Sequence, residues 1–346
     1  MLDLGGVTPG LNVDTAFGIA CALLASPVFA ALAVAIAYAT GALKAHAFML
    51  YMLITGMAIA ARYRAPAIGR KIDWSQHTIL LTGGCHGIGL GLLHKLAAAA
   101  PGNAKRIAVV DILDLPEGAP LGVGLYRCNL ADIEQLKPIV DQITADMGPV
   151  TMLINNAGTV CSKVLSEQSF QDMHRVVGVN MLAPMELTRL LLPGMLASPD
   201  AHIVFVSSVL GFIGIPELTT YTATKAALAI FSESLKLELV ARQGARHVRT
   251  TAVFPSQVNS GMFSGVRIPQ WLAPNMSPDA VAARIFQCLE SASGSDIYLP
   301  LYANLGPVYM ILPRAGRSIV HWIGSSLDAM RTYRGHSLYQ NKTSAA

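Results

Sequence analysis

Charge is scarce in this chain. Only 13% of its 346 residues are Asp, Glu, Lys or Arg, 53% are hydrophobic, and the net charge is +4 with no basic run. That distribution excludes a nucleic-acid partner recognised through a cationic face. Cysteine is scarce as well: Cys21, Cys85, Cys128, Cys161 and Cys288 form no Cys-x-x-Cys and have no histidine neighbours at metal spacing. An odd, scattered set suits reduced thiols in a cytosolic compartment, so neither disulfides nor a metal site is expected. The chain also lacks internal repeats and low-complexity segments.

The missing charge is concentrated at the front. Thr15 to Leu43 carries no charged side chain and neither does Ala45 to Ala61, whereas about twenty apolar residues suffice to span a bilayer. A cleaved signal peptide has a basic start and a short apolar core; here Asp3 and Asp14 precede a much longer run. Residues 1–64 are therefore predicted to be an uncleaved membrane anchor, either one span or a hairpin turning near Gly41 to Lys44. Pro27 is compatible with a membrane helix. Arg62, Arg64, Arg70 and Lys71 follow the second run, and cytoplasmic flanks collect such cations, so the rest of the chain is expected to face the cytosol.

Residues 65–75 read as a linker. Beyond them short apolar runs alternate with helical patterns, which predicts an α/β fold: a Rossmann-like, doubly wound parallel sheet over residues 76–299. About seven strands are expected, at His77–Thr82, Arg106–Asp111, Leu125–Cys128, Thr151–Asn155, His202–Ser207, Val248–Phe254 and Asp296–Leu299, with helices starting near Gly87, Ala131, Gln168, Tyr221 and Ser277. Residues 300–346 form a tail. Ile297 to Pro313 has no charge but contains Pro300, Gly306, Pro307 and Pro313, which argues against a spanning helix. Tyr298, Tyr302, Tyr309 and Trp322 suit a membrane interface, and a flap over the substrate pocket is a compatible alternative.

Chemistry enters through glycine. Ile79 to Thr82 runs into Gly83-x-x-x-Gly87-x-Gly89 and then into a helical pattern, the setting in which glycines let backbone approach a pyrophosphate at a helix N-terminus. Asp111 ends the second predicted strand, twenty-two residues after Gly89, where a carboxylate accepts hydrogen bonds from the adenosine ribose and repels a 2′-phosphate. With Ile112 next to it and only His86 as a cation in the loop, NAD is favoured over NADP. Far downstream, Tyr221 and Lys225 stand four apart, on one helical face, so that the ammonium can favour the phenolate. By itself such a pair usually means a packed tyrosine beside a solvated lysine.

The combination is what is specific. From Thr78 to Leu299 the chain resembles the short-chain dehydrogenases/reductases: Thr82–Gly89, the Asn155-Asn156-Ala157-Gly158 turn, Asn180 in a long helix, Ser208 thirteen residues before Tyr221, and Lys225. Three residues between Gly83 and Gly87 resemble the compact dehydrogenase branch rather than the sugar-nucleotide epimerases. The anchor, the stretch Thr250–Gly261 and the helix start at Pro278 resemble the membrane-bound retinol and 17β-hydroxysteroid dehydrogenases, which implies a membrane of the endoplasmic reticulum or lipid droplet.

The resemblance implies a catalytic set of Asn180, Ser208, Tyr221 and Lys225. Tyr221 exchanges the alcohol proton, Ser208 holds the substrate oxygen, Lys225 also binds the nicotinamide ribose, and Asn180 positions a water or pins a helix bend. Ser207 is the rival serine, at the wrong separation from Tyr221. Cofactor contacts are implied for Gly83, Cys85, His86, Gly87, Ile88, Gly89, Asp111, Asn129, Leu130, Asn156, Ala157, Gly158, Pro255, Val258 and Ser260. Two departures stand out: Asn129 occupies a position where many relatives have aspartate, and Ser256 and Ser260 replace a glycine and a threonine. A phenolate usable near neutrality requires lowering a tyrosine pKa from about 10 by roughly 3 units, about 4 kcal/mol.

The loop Gln257 to Asn275 carries Met262, Phe263, Val266, Ile268, Trp271 and Leu272, an apolar cover for a substrate pocket with Met262 and Phe263 as contacts. The expected activity is hydride transfer between a hydroxyl and a carbonyl on a lipophilic substrate: a sterol or steroid, a retinoid or a long-chain lipid alcohol. Alternatives are an NADPH-dependent reductase of a keto-sphingoid or acyl-dihydroxyacetone lipid, and a non-catalytic membrane scaffold. Family likeness also implies a homodimer paired through the helices near Gln168 and Tyr221. His174, His202 and His247 read as surface or structural residues.

Overall fold

A computed structural model describes residues 72–100, 104–271 and 273–335. The predicted anchor, residues 65–71 of the linker, residues 336–346 of the tail, Cys21 and Leu272 lie outside the described residues. Seven strands, all parallel, form one sheet in the order β3-β2-β1-β4-β5-β6-β7. They are β1 Ile79–Thr82, β2 Ile107–Asp111, β3 Gly124–Arg127, β4 Met152–Asn155, β5 Ala201–Val206, β6 Val248–Pro255 and β7 Ile297–Leu299. The order reverses between β1 and β4, so their carboxyl ends diverge and open the crevice where doubly wound sheets bind ligands.

The strands are apolar almost without interruption because both faces are covered. Leu80, Val110 and Leu153 pack beneath α2 Leu136–Met147, α4 Ala183–Ala197 and α5 Thr219–Ala241; Ile79, Leu81 and Val109 pack beneath α1 Gly87–Ala99 and α6 Pro278–Glu290. Each buried aliphatic side chain contributes about 1.5–3 kcal/mol, so these two layers fix the register that brings the strand ends together.

Helix α2 starts five residues later than the sequence pattern suggests. The Asn129 side chain accepts from the Ala131 N–H at 3.1 Å, and a 3₁₀ turn at Ile133–Gln135 uses up the intervening chain. Asn180 lies where α3 Phe170–Val177 passes into α4 through a π turn at Gly178–Leu182, a widening that often marks functional positions.

The described part of the tail contains no helix of spanning length: α7 Gly306–Ile311 and α8 Arg314–Ile323 are short. Pro307 falls within the first turn of α7 and Pro313 caps α8, positions where a missing N–H costs nothing. The tyrosines expected at a membrane interface point inward instead. Tyr298 stacks on Phe254 at 4.7 Å, Tyr302 hydrogen-bonds Ser256, and Tyr309 is buried with its hydroxyl 2.8 Å from His321 Nε2. Polar tips with available partners inside were drawn to the core; Trp322, without one, is 79% exposed. Among the described residues no helix is long and apolar enough to cross a membrane.

Candidate active site

The loop after β1 is held by hydroxyl and amide groups rather than by its glycines alone. Thr82 Oγ1 accepts from the N–H groups of Asn156 and Ala157, each at 3.0 Å, and Asn156 Nδ2 donates to the carbonyls of Thr82 and Gly83 at 3.0 and 2.9 Å. A Cβ at Gly89 would lie 1.9 Å from the Gly83 carbonyl oxygen. The first turn of α1 thus rests directly on the loop, leaving its N-terminus facing the crevice, a setting suited to a pyrophosphate.

Asp111 is fixed at the neighbouring strand end. Its Oδ2 accepts from the Cys85 N–H at 3.0 Å and its Oδ1 from the Leu113 N–H at 3.1 Å. One carboxylate therefore ties the glycine loop to the ribose end of the crevice, beside an exposed Ile112. Cys85 serves this bond and does not line the cavity; its thiol, buried and near Asp111, is pushed up to about 12.

The catalytic candidates converge at the carboxyl end of β5. Ser207 and Ser208 both border the cavity: Ser207 Oγ donates to the Lys225 carbonyl at 2.7 Å, whereas Ser208 Oγ donates to the Pro255 carbonyl at 3.3 Å and lies close enough to Tyr221 to favour its phenolate. Ser208 Oγ also accepts from the Leu210 N–H at 3.1 Å, which fixes its rotamer. Lys225 Nζ donates to the Val206 carbonyl at 2.8 Å and lies 5.7 Å from the Tyr221 ring centroid. Burial pushes Tyr221 up to about 12, an effect only partly offset by Ser208, and pushes Lys225 down to about 8. Both shifts have the same cause, loss of water around the charged form.

Asn180 stands behind this group and does not line the cavity. Its Oδ1 accepts from the Thr159 N–H at 2.8 Å, and its Nδ2 donates to the Thr159 carbonyl at 2.9 Å and to Thr224 Oγ1 at 3.2 Å. Asn180 thereby joins the β4 turn to the helix that carries Tyr221 and Lys225.

These groups line one cavity of about 470 Å³, a volume typical of ligand sites. Of the residues named from sequence, Gly83, His86, Gly87, Ile88, Asp111, Asn129, Leu130, Asn156, Ala157, Gly158, Ser208, Tyr221, Lys225, Pro255, Val258, Ser260, Met262 and Phe263 line it; Cys85, Gly89 and Asn180 support it from outside. Phe263 meets the Tyr221 ring edge-on at 5.6 Å. Ile215, Leu218, Met330 and Tyr333 complete the apolar wall around the hydroxyls. Sequence reading missed these four. Met330 and Tyr333 come from the tail, about a hundred residues after Tyr221, and no local pattern announces such a contact.

Residues 77–270, more than half of the chain, match the family model described as short chain dehydrogenase. The chain is 27% identical to human short-chain dehydrogenase/reductase 3 over 84% of its own length and 95% of that protein. It is 29% identical to human 17-beta-hydroxysteroid dehydrogenase 13, over 68% and 79% of the two chains. The fold matches ligand-free aldohexose dehydrogenase of Thermoplasma acidophilum with a TM-score of 0.54 at 21% identity, covering 66% of this chain and 94% of that one. The chain belongs to the short-chain dehydrogenase/reductase family, and is an NAD(P)-dependent dehydrogenase/reductase.

Proposed function

We propose that this enzyme is membrane-associated and interconverts a hydroxyl and a carbonyl on a lipophilic substrate, with NAD as the preferred cofactor. One observation carries the reading: Ser208 and Tyr221 share a cavity walled by Phe263, Ile215, Leu218 and Met330. A substrate with one oxygen on an apolar body matches that arrangement, since burying a second polar group there without a partner costs about 1–3 kcal/mol.

The glycine loop, Asn156 and Asp111 would hold the dinucleotide, which supplies the hydride acceptor or donor when bound. Ser208 orients the substrate oxygen and Tyr221 exchanges its proton. Lys225, pinned to the Val206 carbonyl, keeps a positive charge beneath the tyrosine and counteracts the burial that opposes its ionisation. Asn180 acts as a positioning residue. Asp111, rigidly held and next to an apolar Ile112, supports a ribose hydroxyl over a phosphate.

Two further parts of the proposal rest on sequence and surface. The uncharged runs at Thr15–Leu43 and Ala45–Ala61 support anchoring in an endoplasmic reticulum or lipid-droplet membrane, with the catalytic domain facing the cytosol. Exposed Phe170 on α3 and Ile230 and Leu237 on α5 support a homodimer paired through those helices. A panel of steroid, retinoid and long-chain alcohols, assayed with NAD and NADP on the full chain in lipid vesicles, tests the activity. Turnover confined to small hydrophilic alcohols overturns the proposed substrate class.

A further inference from the structure

Helix α8 carries an exposed apolar stripe. Two of its polar side chains, Arg317 and His321, turn back toward α7 and the adjoining turns, while Arg314 and Ser318 are exposed. Arg317 donates to the Leu312 and Met310 carbonyls at 3.0 and 2.6 Å, and His321 bonds Tyr309 at 2.8 Å and Ser326 at 2.6 Å. The outward stripe is Ala315, Ile319, Trp322 and Ile323, all exposed and spaced by the helical repeat. Ile311, 81% exposed, extends it on one side and Leu327, 58% exposed, on the other.

The helix is tied to α7 by the Tyr309–His321 bond, and α7 rests on the domain: Gly306 packs so closely on the Phe212 ring that a Cβ would come within 2.6 Å of it, and Phe212 in turn packs on Phe254 of β6. A contiguous exposed apolar stripe marks an interaction surface.

Its surroundings select the occupant. Residues 306–335 contain Arg314, Arg317, Arg331 and Arg334 against a single acid, Asp328, and Arg314, Arg331 and Arg334 are exposed. An apolar stripe within a cationic segment complements anionic lipid, and Trp322 is the kind of side chain that settles at headgroup depth. The same chain carries uncharged runs of bilayer length. The tail also reaches the catalytic cavity: after α8 the chain turns through Ala329–Thr332 and places Met330 and Tyr333 in the cavity wall, and the Arg334 N–H donates to the Ser264 carbonyl at 2.9 Å.

We propose that the outward face of α8, with Ile311 and Leu327, docks on the surface of an anionic bilayer, and that an apolar substrate passes from the bilayer into the cavity along this tail. The docking claim stands on the surface alone; the passage claim rests on the proposed lipophilic substrate.

The test uses the full chain reconstituted in phosphatidylcholine vesicles containing a minor fraction of phosphatidylserine. Brominated phosphatidylcholine should quench wild-type tryptophan emission, and that quenched component should be missing in Trp322→Phe. Equal quenching in both proteins overturns docking, whether the face is bare, covered by a second copy or covered by another segment of the chain. Ile319→Glu with Ile323→Glu should raise KM for a vesicle-borne alcohol by about tenfold and leave kcat/KM for a short water-soluble alcohol unchanged. Equal effects on the two substrates, or none, overturn the passage claim. Failure to turn over any alcohol refutes the proposed activity, and the quenching comparison still decides docking.

Discussion

Ser207 Oγ donates to the main-chain carbonyl of Lys225 at 2.7 Å. This bond separates the two adjacent serines by role, because it engages the Ser207 hydroxyl between β5 and α5, whereas the Ser208 hydroxyl lies beside Tyr221. Ser208→Ala should lower kcat by roughly 10²-fold or more with little change in melting temperature, the outcome expected when one oriented catalytic hydrogen bond is removed. Ser207→Ala should show the reverse pattern, with a loss of about 1 kcal/mol in stability from one buried hydrogen bond removed. Thermal melts run beside steady-state kinetics distinguish the two.

Tyr221 and Lys225 set the pH dependence. In the cofactor-free protein burial holds Tyr221 near 12 and Lys225 near 8, so the phenol is the resting form at neutral pH. Alcohol oxidation requires the phenolate and should accelerate as pH rises toward the tyrosine value; carbonyl reduction requires the phenol, the dominant form below that value, and should stay nearly flat until pH approaches it. Lys225→Met should weaken the pH response and cofactor affinity together. Rates in both directions across pH, with isothermal titration of the cofactor, check this.

Gly89 leaves no room for a side chain, since a Cβ would stand 1.9 Å from the Gly83 carbonyl oxygen and 2.6 Å from Asn156 Nδ2. Gly89→Ala should displace the loop and reduce dinucleotide affinity on the order of tenfold, about 1.4 kcal/mol. Fluorescence titration of the reduced cofactor measures it, and unchanged affinity contradicts the role given to the loop.

Asp111 provides the test of cofactor preference. Asp111→Ser with Ile112→Arg removes the carboxylate and adds a cation, and should shift the ratio of catalytic efficiencies toward NADP by about 10- to 100-fold, or about 1.4 to 2.7 kcal/mol. A wild-type enzyme that already prefers NADP contradicts the reading and favours a lipid-ketone reductase.

His202 governs acid stability. It is fully buried, with Nε2 bonded to Thr251 Oγ1 at 2.9 Å and Nδ1 unpaired, and desolvation, reinforced by Arg249, His77 and Lys236, lowers it to about 3. Its folded value lies below the ordinary 6.5, so between these limits the unfolded chain binds the extra proton. Stability should fall as pH drops below 6.5, by up to about 1.4 kcal/mol per pH unit. Denaturant midpoints from pH 7 to 4 check the slope, which should flatten in His202→Gln.

Much of the domain was legible because its strands are buried on both faces and read as apolar runs bounded by turns. The seven expected strands are all present, with no end displaced by more than two residues. The glycine loop, Asp111, Tyr221 and Lys225 were legible because each has a spacing tied to its chemistry, and Ser208 through the family resemblance. Less visible was everything decided by distant packing. Asn180, expected to position a water or pin a helix bend, holds Thr159 and Thr224, partners that no local spacing announces. Composition alone placed the tail tyrosines at an interface, whereas inward hydrogen bonds and ring stacking claimed them and left the outward stripe of α8 as the apolar surface.

The central claim, a Ser208–Tyr221 site built for an apolar alcohol, is tested most directly by kcat/KM for a homologous series of alcohols with NAD, using the full chain in vesicles. Each added methylene should raise kcat/KM about fourfold until the cavity is filled, corresponding to about 0.8 kcal/mol per buried CH₂, and Tyr221→Phe should abolish turnover across the series. A flat or falling dependence on chain length, or a Tyr221→Phe enzyme retaining more than about a tenth of the wild-type rate, would contradict the account.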